Sequence, residues 1–329
     1  MSLLAAIAMA AAIQSGAALQ NIQTEIEAPG PQGPLRGTLL SPATPNAPMV
    51  LIVPGSGGSD RNGDGPGGPQ TSTYRLLAEG LLDHGIASVR IDKRGMFGSA
   101  SAIPDANDVT IDEYASDVHS WIKSIRKRTA ASCVWVLGHS EGGLVALKAA
   151  QDTTDICGLI LVSTAGRPLG TVLREQLQSN PAIAPLVPDA MSVLESLEAG
   201  QAVEAAKIDP HLMPVFRPQV QRFLMSELTL DPATLLAGYA KPVLIVQGMR
   251  DLQVTPQDAR LLKHADPGAK LVFIADANHV LKTVRSDDWN ENLATYSNPD
   301  LPLADNVVET IATFVHASRK DHPPPDTSK

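Results

Sequence analysis

The sequence predicts an α/β protein: a mostly parallel, doubly wound sheet with helices on both faces and an inserted helical cap. Three observations lead there. Apolar strand-length runs alternate with helix-length stretches from residue 49 to residue 162 and again from 242 to 275, the order of a sheet whose strands are joined by crossover helices. Residues 49–53, Met-Val-Leu-Ile-Val, are apolar throughout, as in a strand buried on both faces. Residues 169–240 contain only helix-like segments, broken at Pro181, Pro185, Pro188, Pro210, Pro214, Pro218 and Pro232. Such a stretch is too long for an ordinary crossover and reads as an insertion between two strands.

Taken in order, residues 22–27 alternate apolar and polar side chains, and Gly30-Pro31-Gln32-Gly33 turns the chain into 35–40, an antiparallel hairpin. The strand 49–53 runs into a glycine-rich loop, residues 54–60, where backbone N–H groups are free to face a ligand. No Gly-Lys-Ser/Thr follows, which argues against a phosphate loop. A helix over 74–84 leads to a strand over 87–91, which enters Asp92-Lys93-Arg94-Gly95. A helix over 111–128 and strands over 133–137 and 156–162 follow. After the insertion come a strand over 242–248, a helix over 256–264, a strand over 270–275 and a last helix over 302–317.

With 329 residues, 43% hydrophobic and 19% charged, the chain suits one large domain with an insertion. We place the core at 21–168 and 241–318, the cap at 169–240 and a disordered tail at 319–329. A net charge of -9 excludes the basic footprint that nucleic acid requires. Aromatics at 4% argue against base-stacking platforms and against an aromatic belt in a membrane. Residues 1–20 read as a signal peptide, with a short apolar run and small residues near Ala17 and Ala18 but no basic residue before the run. That directs the protein to the periplasm or outside the cell. The alternative is an N-terminal helix of a cytoplasmic protein. Cys133 and Cys157 lack metal-ligand spacing. As neighbours on parallel strands in apolar surroundings they are expected to be free, poorly reactive thiols.

The chemistry centres on residues 134–144, Val-Trp-Val-Leu-Gly-His-Ser-Glu-Gly-Gly-Leu. An apolar strand enters Gly138-His139-Ser140-Glu141-Gly142 and a helix leaves it. G-x-S-x-G is a weak string by itself, and its strand-to-helix setting gives it weight. A serine nucleophile must stand clear of the backbone next to a base, and the sharp turn that achieves this needs small residues two before and two after. Asp251 and His279 also lie just past predicted strand ends, so the three loops converge on one crevice. There His279 would take the Ser140 proton while Asp251 orients the imidazole. The order Ser, Asp, His is that of α/β-hydrolases.

Asp276, Asp287 and Asp288 are rival carboxylates, but none ends a strand between the serine and the histidine. His84, His119, His264 and His316 fall in helices, and His139 is expected to pack beneath the serine. The oxyanion hole is assigned to the backbone N–H groups of Glu141, directly after the nucleophile, and Ser56.

Residues 54–62, 92–95, 138–143, 165–169 and 298–303 resemble those of a bacterial group of serine esterases in the α/β-hydrolase superfamily, the acyl esterase or serine aminopeptidase-like group. The resemblance spans residues 22–317. It implies ester hydrolysis through an acyl-enzyme on Ser140, a helical cap, and no metal or organic cofactor. Gly58 stands where related sequences often carry proline, and Met96-Phe97 adds a bulky pair beside the cleft.

The leading expectation is a carboxylesterase acting on a small-molecule ester, with no stable membrane insertion. An amide or thioester hydrolase would use the same triad, since the elbow does not encode the leaving group. For a free amino terminus, Glu141, Glu195, Glu198 and Glu204 are the available carboxylates. A catalytically silent hydrolase fold acting as a binding module is the non-enzyme alternative. The cap is rich in Leu, Val, Ala and Met, and Met191, Met213 and Met225 are expected to form an adaptable wall around acyl groups of roughly acetyl to hexanoyl size.

Overall fold

The hairpin is formed by β1 (Ile22–Ala28) and β2 (Leu35–Ser41), paired antiparallel with Ile22 opposite Ser41 and Ala28 opposite Leu35. The computed structural model describes residues 21–66, 68–152, 155–179 and 181–321. The predicted leader lies outside them, as does the tail from residue 322 onward.

From β2 the chain builds one eight-stranded sheet. β3 (Met49–Val53) leads through α1 (Thr73–Asp83) to β4 (Ala87–Ile91). α2 (Ile111–Thr129) leads to β5 (Val134–His139), and α3 (Glu141–Ala149) to β6 (Ile156–Val162). After the helical segments α4 (Leu169–Ser179), α5 (Val187–Glu198), α6 (Met213–Phe216), α7 (Pro218–Leu228) and α8 (Pro232–Ala237), the sheet resumes with β7 (Val243–Gly248). Then come α9 (Pro256–Ala265), β8 (Lys270–Ile274), α10 (Trp289–Ala294) and α11 (Val307–Asp321). The strand order is β1-β2-β4-β3-β5-β6-β7-β8, and the pairs from β4 to β8 are parallel.

The absence of alternation in the central strands has its reason in two cores. Leu51, Val53, Val136 and Leu161 face one side, where Val118 and Trp121 of α2, Val145 of α3 and Leu262 of α9 cover them. Val50, Ile52, Leu137 and Ile160 face the other, against Leu77 and Leu81 of α1 and Ile311 and Val315 of α11. A strand apolar on both faces is stable only when helices cover both, because each buried methylene is worth ~0.8 kcal/mol. The helical segments between β6 and β7 have a third cluster of their own, with Leu177, Leu194, Leu197, Leu212 and Phe216 buried.

Two expectations are corrected. Cys133 and Cys157 form a disulfide, with 5.2 Å between their Cα atoms. The pairing of β5 with β6 slips next to them, from Val134 opposite Ile156 to Trp135 opposite Gly158. Cys157 is therefore the extra residue of a bulge, not a member of a regular ladder, and Cys133 lies just before β5. Local irregularity removes the geometric objection to bridging adjacent parallel strands. The last helix begins at Val307, not at residue 302, since 302–306 form an irregular approach containing Asn306 at φ 68. It continues to Asp321, so the first residues assigned to the tail are helical. Met191, Met213 and Met225, expected to form a wall around acyl groups, are partly buried against the helical segments' own cluster.

Candidate active site

β5 carries the chain to Ser140, which has φ 55 and ψ -124, a region that costs an ordinary residue of order 1–3 kcal/mol. Packing holds it there. The Ser140 N–H donates to Val162 O at 2.9 Å, and its C=O accepts from the Gly143 N–H at 2.9 Å. A Cβ on Gly138 would come within 2.2 Å of Gly142 O, and one on Gly142 within 2.4 Å of Val53 O. Both glycines are required by close backbone approach, and the strain is concentrated on the serine between them.

Asp251 lies three residues beyond β7 and His279 five beyond β8. His279 Nδ1 donates to Asp251, 2.9 Å from Oδ2 and 3.1 Å from Oδ1. Asp251 Oδ1 also accepts from the backbone N–H groups of Gln253 at 2.8 Å and Val254 at 2.9 Å. Burial pushes the Asp251 carboxyl up, but the His279 charge, its hydrogen bond and the two N–H donors outweigh that and hold it below the ordinary carboxylate value. The His279 loop is braced by Asn278, whose Nδ2 donates to Asn292 Oδ1 at 3.0 Å and Thr295 Oγ1 at 2.7 Å.

Ser140 and His279 line one cleft of about 130 Å³, together with Ser56, Tyr74, Gln253 and Tyr296. Among the described residues no hydrogen bond joins Ser140 Oγ to His279. With Nδ1 held by Asp251, Nε2 is the nitrogen left for the serine, and such contacts commonly tighten only when substrate binds. None of the described residues of 169–240 lines this cleft.

The other candidates are accounted for separately. Asp287 pairs with Arg250, and Asp288 caps α10 through the Glu291 N–H at 2.8 Å. His119 bonds Ala149 O, and His316 bonds His84 O. His139 is buried beneath the elbow, with Nε2 donating to His279 O at 2.8 Å and Nδ1 accepting from the Tyr74 hydroxyl, 3.0 Å away. Burial, aided by the nearby His279, pushes its pKa down to about 4. Of the carboxylates considered for an amino terminus, Glu141 faces Lys93 at 3.5 Å, Glu198 pairs with Arg174, and Glu204 lies 3.6 Å from Lys207. Among the described residues no group of three or more His, Cys, Asp or Glu is arranged to hold a metal ion.

Of the two N–H groups assigned to the oxyanion hole, that of Glu141 belongs to the first residue of α3 and has no intrahelical acceptor. That of Ser56 has no acceptor among the described residues. The Gly55 N–H, by contrast, donates to Tyr74 Oη at 2.9 Å.

Sequence reasoning did not single out Lys93, Tyr74 or Glu227. Lys93 is buried, with Nζ 2.8 Å from Gly55 O and 5.4 Å from the centre of the Tyr114 ring. Glu227, on α7, is pushed up to about 8 by burial and by the charge of Glu141, against the opposing effect of Lys93. The signal for Lys93 was visible as three consecutive charges, Asp92-Lys93-Arg94, at the end of an interior strand. All three are buried: Asp92 holds Arg61, and Arg94 grips Asp117 with two contacts of 2.7 Å. Glu227 gave no signal, because only the tertiary fold brings α7 near the elbow.

A mostly parallel sheet with a strained serine elbow and an Asp–His pair past later strands is the architecture of the α/β-hydrolase fold. The chain belongs to the family described as serine aminopeptidase, S33, whose model matches residues 67–283. It is 28% identical over 240 residues to esterase EstD of Thermotoga maritima, an alignment covering 71% of this chain and 54% of EstD. The chain thus spans about half the length of that curated relative. Among solved structures, Est1E from Butyrivibrio proteoclasticus superposes with a TM-score of 0.56 at 20% identity, over 90% of this chain and 99% of Est1E. The Pyrococcus furiosus esterase Pf2001 superposes at 0.57 with 16% identity, over 91% of each chain. Both likenesses are of fold.

Proposed function

We propose that the protein is a serine hydrolase cleaving carboxylic esters of short to medium acyl chains through an acyl-enzyme on Ser140. The observation that carries this reading is the Asp251–His279 hydrogen bond opening onto the same cleft as a serine held at φ 55. Ser140 Oγ attacks the ester carbonyl carbon while its proton passes to His279 Nε2. The C=O π pair moves onto oxygen, facing the Ser56 and Glu141 N–H groups, and returns as the C–O bond to the alcohol breaks and His279 protonates the departing oxygen. Water then repeats the sequence on the acyl-enzyme and frees the acid.

Membership of the serine aminopeptidase family and the likeness to an esterase support this class of chemistry. The size of the cleft, about 130 Å³, supports small groups, since sites for drug-sized ligands occupy roughly 300–1,000 Å³. An ester has no cation to bind, which accords with Glu141, Glu198 and Glu204 each having a basic neighbour. We take residues 169–240 as a cap that reaches the elbow through Glu227. Export to an oxidising compartment is part of the proposal, and the Cys133–Cys157 disulfide supports it. No described helix is long and apolar enough to cross a membrane.

The direct test is labelling with a fluorophosphonate followed by peptide mapping, together with turnover of p-nitrophenyl esters. The label should fall on Ser140. Ser140→Ala should lose both label and turnover with its fold intact, and Asp251→Asn should lose roughly three to four orders of magnitude in kcat. An unlabelled wild type would leave the binding-module alternative standing, and a fully active Asp251→Asn would send the search for the acid to another strand end.

A further inference from the structure

The peptide unit joining Gly55 to Ser56 is held from one side by a buried charge. Lys93 Nζ donates to Gly55 O at 2.8 Å. A trans peptide points its C=O and its following N–H in opposite directions, so an ammonium on the Gly55 carbonyl sets where the Ser56 N–H points, which is away from Lys93. The preceding peptide is fastened too, by the Gly55 N–H on Tyr74 Oη at 2.9 Å. Tyr74 is itself anchored on His139, the residue before the nucleophile. The segment runs against the elbow, since a Cβ placed on Gly55 would lie 3.1 Å from Ser140 Cβ. Ser56 and Ser140 line the same cleft.

Lys93 reaches the second assigned donor as well. Its Nζ is 3.5 Å from Glu141 Oε1, and Glu141 supplies the other N–H. In a glycine-rich loop little else restrains a peptide from rotating, and Gly57 next along has φ 85. A charge-assisted hydrogen bond to a carbonyl is shorter and stronger than a neutral one, and it also polarises the N–H of the same peptide unit.

We propose that Lys93 is a positioning residue for the oxyanion hole: from beneath the loop it orients and polarises the Gly55–Ser56 peptide so that the Ser56 N–H meets the negative oxygen of the tetrahedral intermediate. The proposal rests on the acyl-transfer reading of Ser140. Lys93 touches neither substrate nor reacting atoms. Its contribution appears only as charge develops, so it should show in kcat and not in ground-state binding.

The competing role is charge balance, because Lys93 Nζ lies 3.5 Å from Glu141 Oε1 and its charge also acts on the nearby Glu227. Lys93→Met is therefore made in a Glu227→Gln background, which fixes the neighbouring side chain as neutral, so that loss of Lys93 cannot act by changing the protonation of Glu227. It is compared with Glu227→Gln alone, using active-site titration to count folded sites. The expected result is a fall in kcat of about 10- to 100-fold with KM within about twofold. Affinity for a trifluoromethyl ketone, which forms a tetrahedral oxyanion on the serine, should fall in parallel with kcat/KM. Lys93→Arg, which keeps a charged donor, should recover part of the loss.

A double variant that keeps the kcat of Glu227→Gln overturns the proposal and leaves Lys93 a charge-balancing residue. So does a loss confined to KM, or an inhibitor affinity that does not follow kcat/KM. A wild type that neither labels at Ser140 nor hydrolyses any ester removes the esterase reading and this proposal together. An active, labelled wild type with indifferent Lys93 variants removes the proposal alone.

Discussion

His139 shows how a residue next to the proposed nucleophile is fixed by its own hydrogen bonds. Both ring nitrogens are engaged, one by the Tyr74 hydroxyl and the other by the backbone carbonyl of His279, so the neutral tautomer stitches α1, the elbow and the base loop together. A proton on Nδ1 would meet the Tyr74 oxygen as a donor facing a donor, inside a fully buried site. Burial of the charged form, with the nearby His279 adding to it, lowers the pKa from 6.5 to about 4. The unfolded chain binds a proton here at a higher pH than the folded one, so the folded-state contribution is fully present above pH 6.5 and is lost as the pH falls towards 4. A depression of this size corresponds to something on the order of 3 kcal/mol. Chemical denaturation at pH 7 and pH 4.5 should show the wild type losing more stability than His139→Asn. Equal losses in the two proteins would mean that His139 titrates normally and is not sealed in.

At the scale of elements, the sheet edge opposite the active site is closed covalently. The disulfide joins the start of β5 to the bulge in β6 across a sequence separation of 24. It lies at the N-terminal ends of these strands, whereas Ser140 follows the C-terminal end of β5. Closing a loop of this length stabilises the fold by about 3 kcal/mol in the chain-entropy account. Reduction should therefore lower Tm by several degrees while the specific activity of the protein that remains folded is unchanged at 25 °C. The intact mass before reduction should be two hydrogens below the all-thiol value. An unreduced protein with the full thiol mass would contradict the bridge. α10 illustrates a different dependence: a helix of six residues has little intrinsic stability, yet its Asn292 receives Asn278 and so helps hold His279 in place.

At the scale of the whole molecule, the helical segments between β6 and β7 have their own core, and the cleft beside Ser140 is lined by core-domain loops. Repeated prolines divide these segments into short helices, unlike a long amphipathic lid that opens at a lipid surface. Rates on soluble p-nitrophenyl esters should accordingly peak at short chains, from acetyl to roughly hexanoyl. No jump in rate should accompany passage of the substrate through its solubility limit. A preference for emulsified long-chain triglyceride would turn the reading towards a lipase.

What the sequence determined by itself was whatever depends on local pattern. Runs such as 49–53, apolar on every residue, predict a covered sheet, and glycines at 138 and 142 around Ser140 predict a tight elbow, because backbone sterics act over a few residues. Ser140, Asp251 and His279 were legible since each follows a strand, and strand ends in such a sheet share an edge; the structure brings Asp251 to His279 and places His279 and Ser140 in one cleft. Tertiary structure alone decided what depends on register and approach. The disulfide needed the slip between Val134 and Trp135, and regular strand geometry predicted free thiols. The packing of Met191, Met213 and Met225 against a separate cluster between β6 and β7 followed from contacts that helical periodicity does not orient. The grip of Lys93 on Gly55 spans 38 residues, and the proximity of Glu227 to Glu141 spans 86, from 227 - 141. Such contacts join groups that share no local signal, and their energies are set by burial and distance, which exist only once the chain has closed.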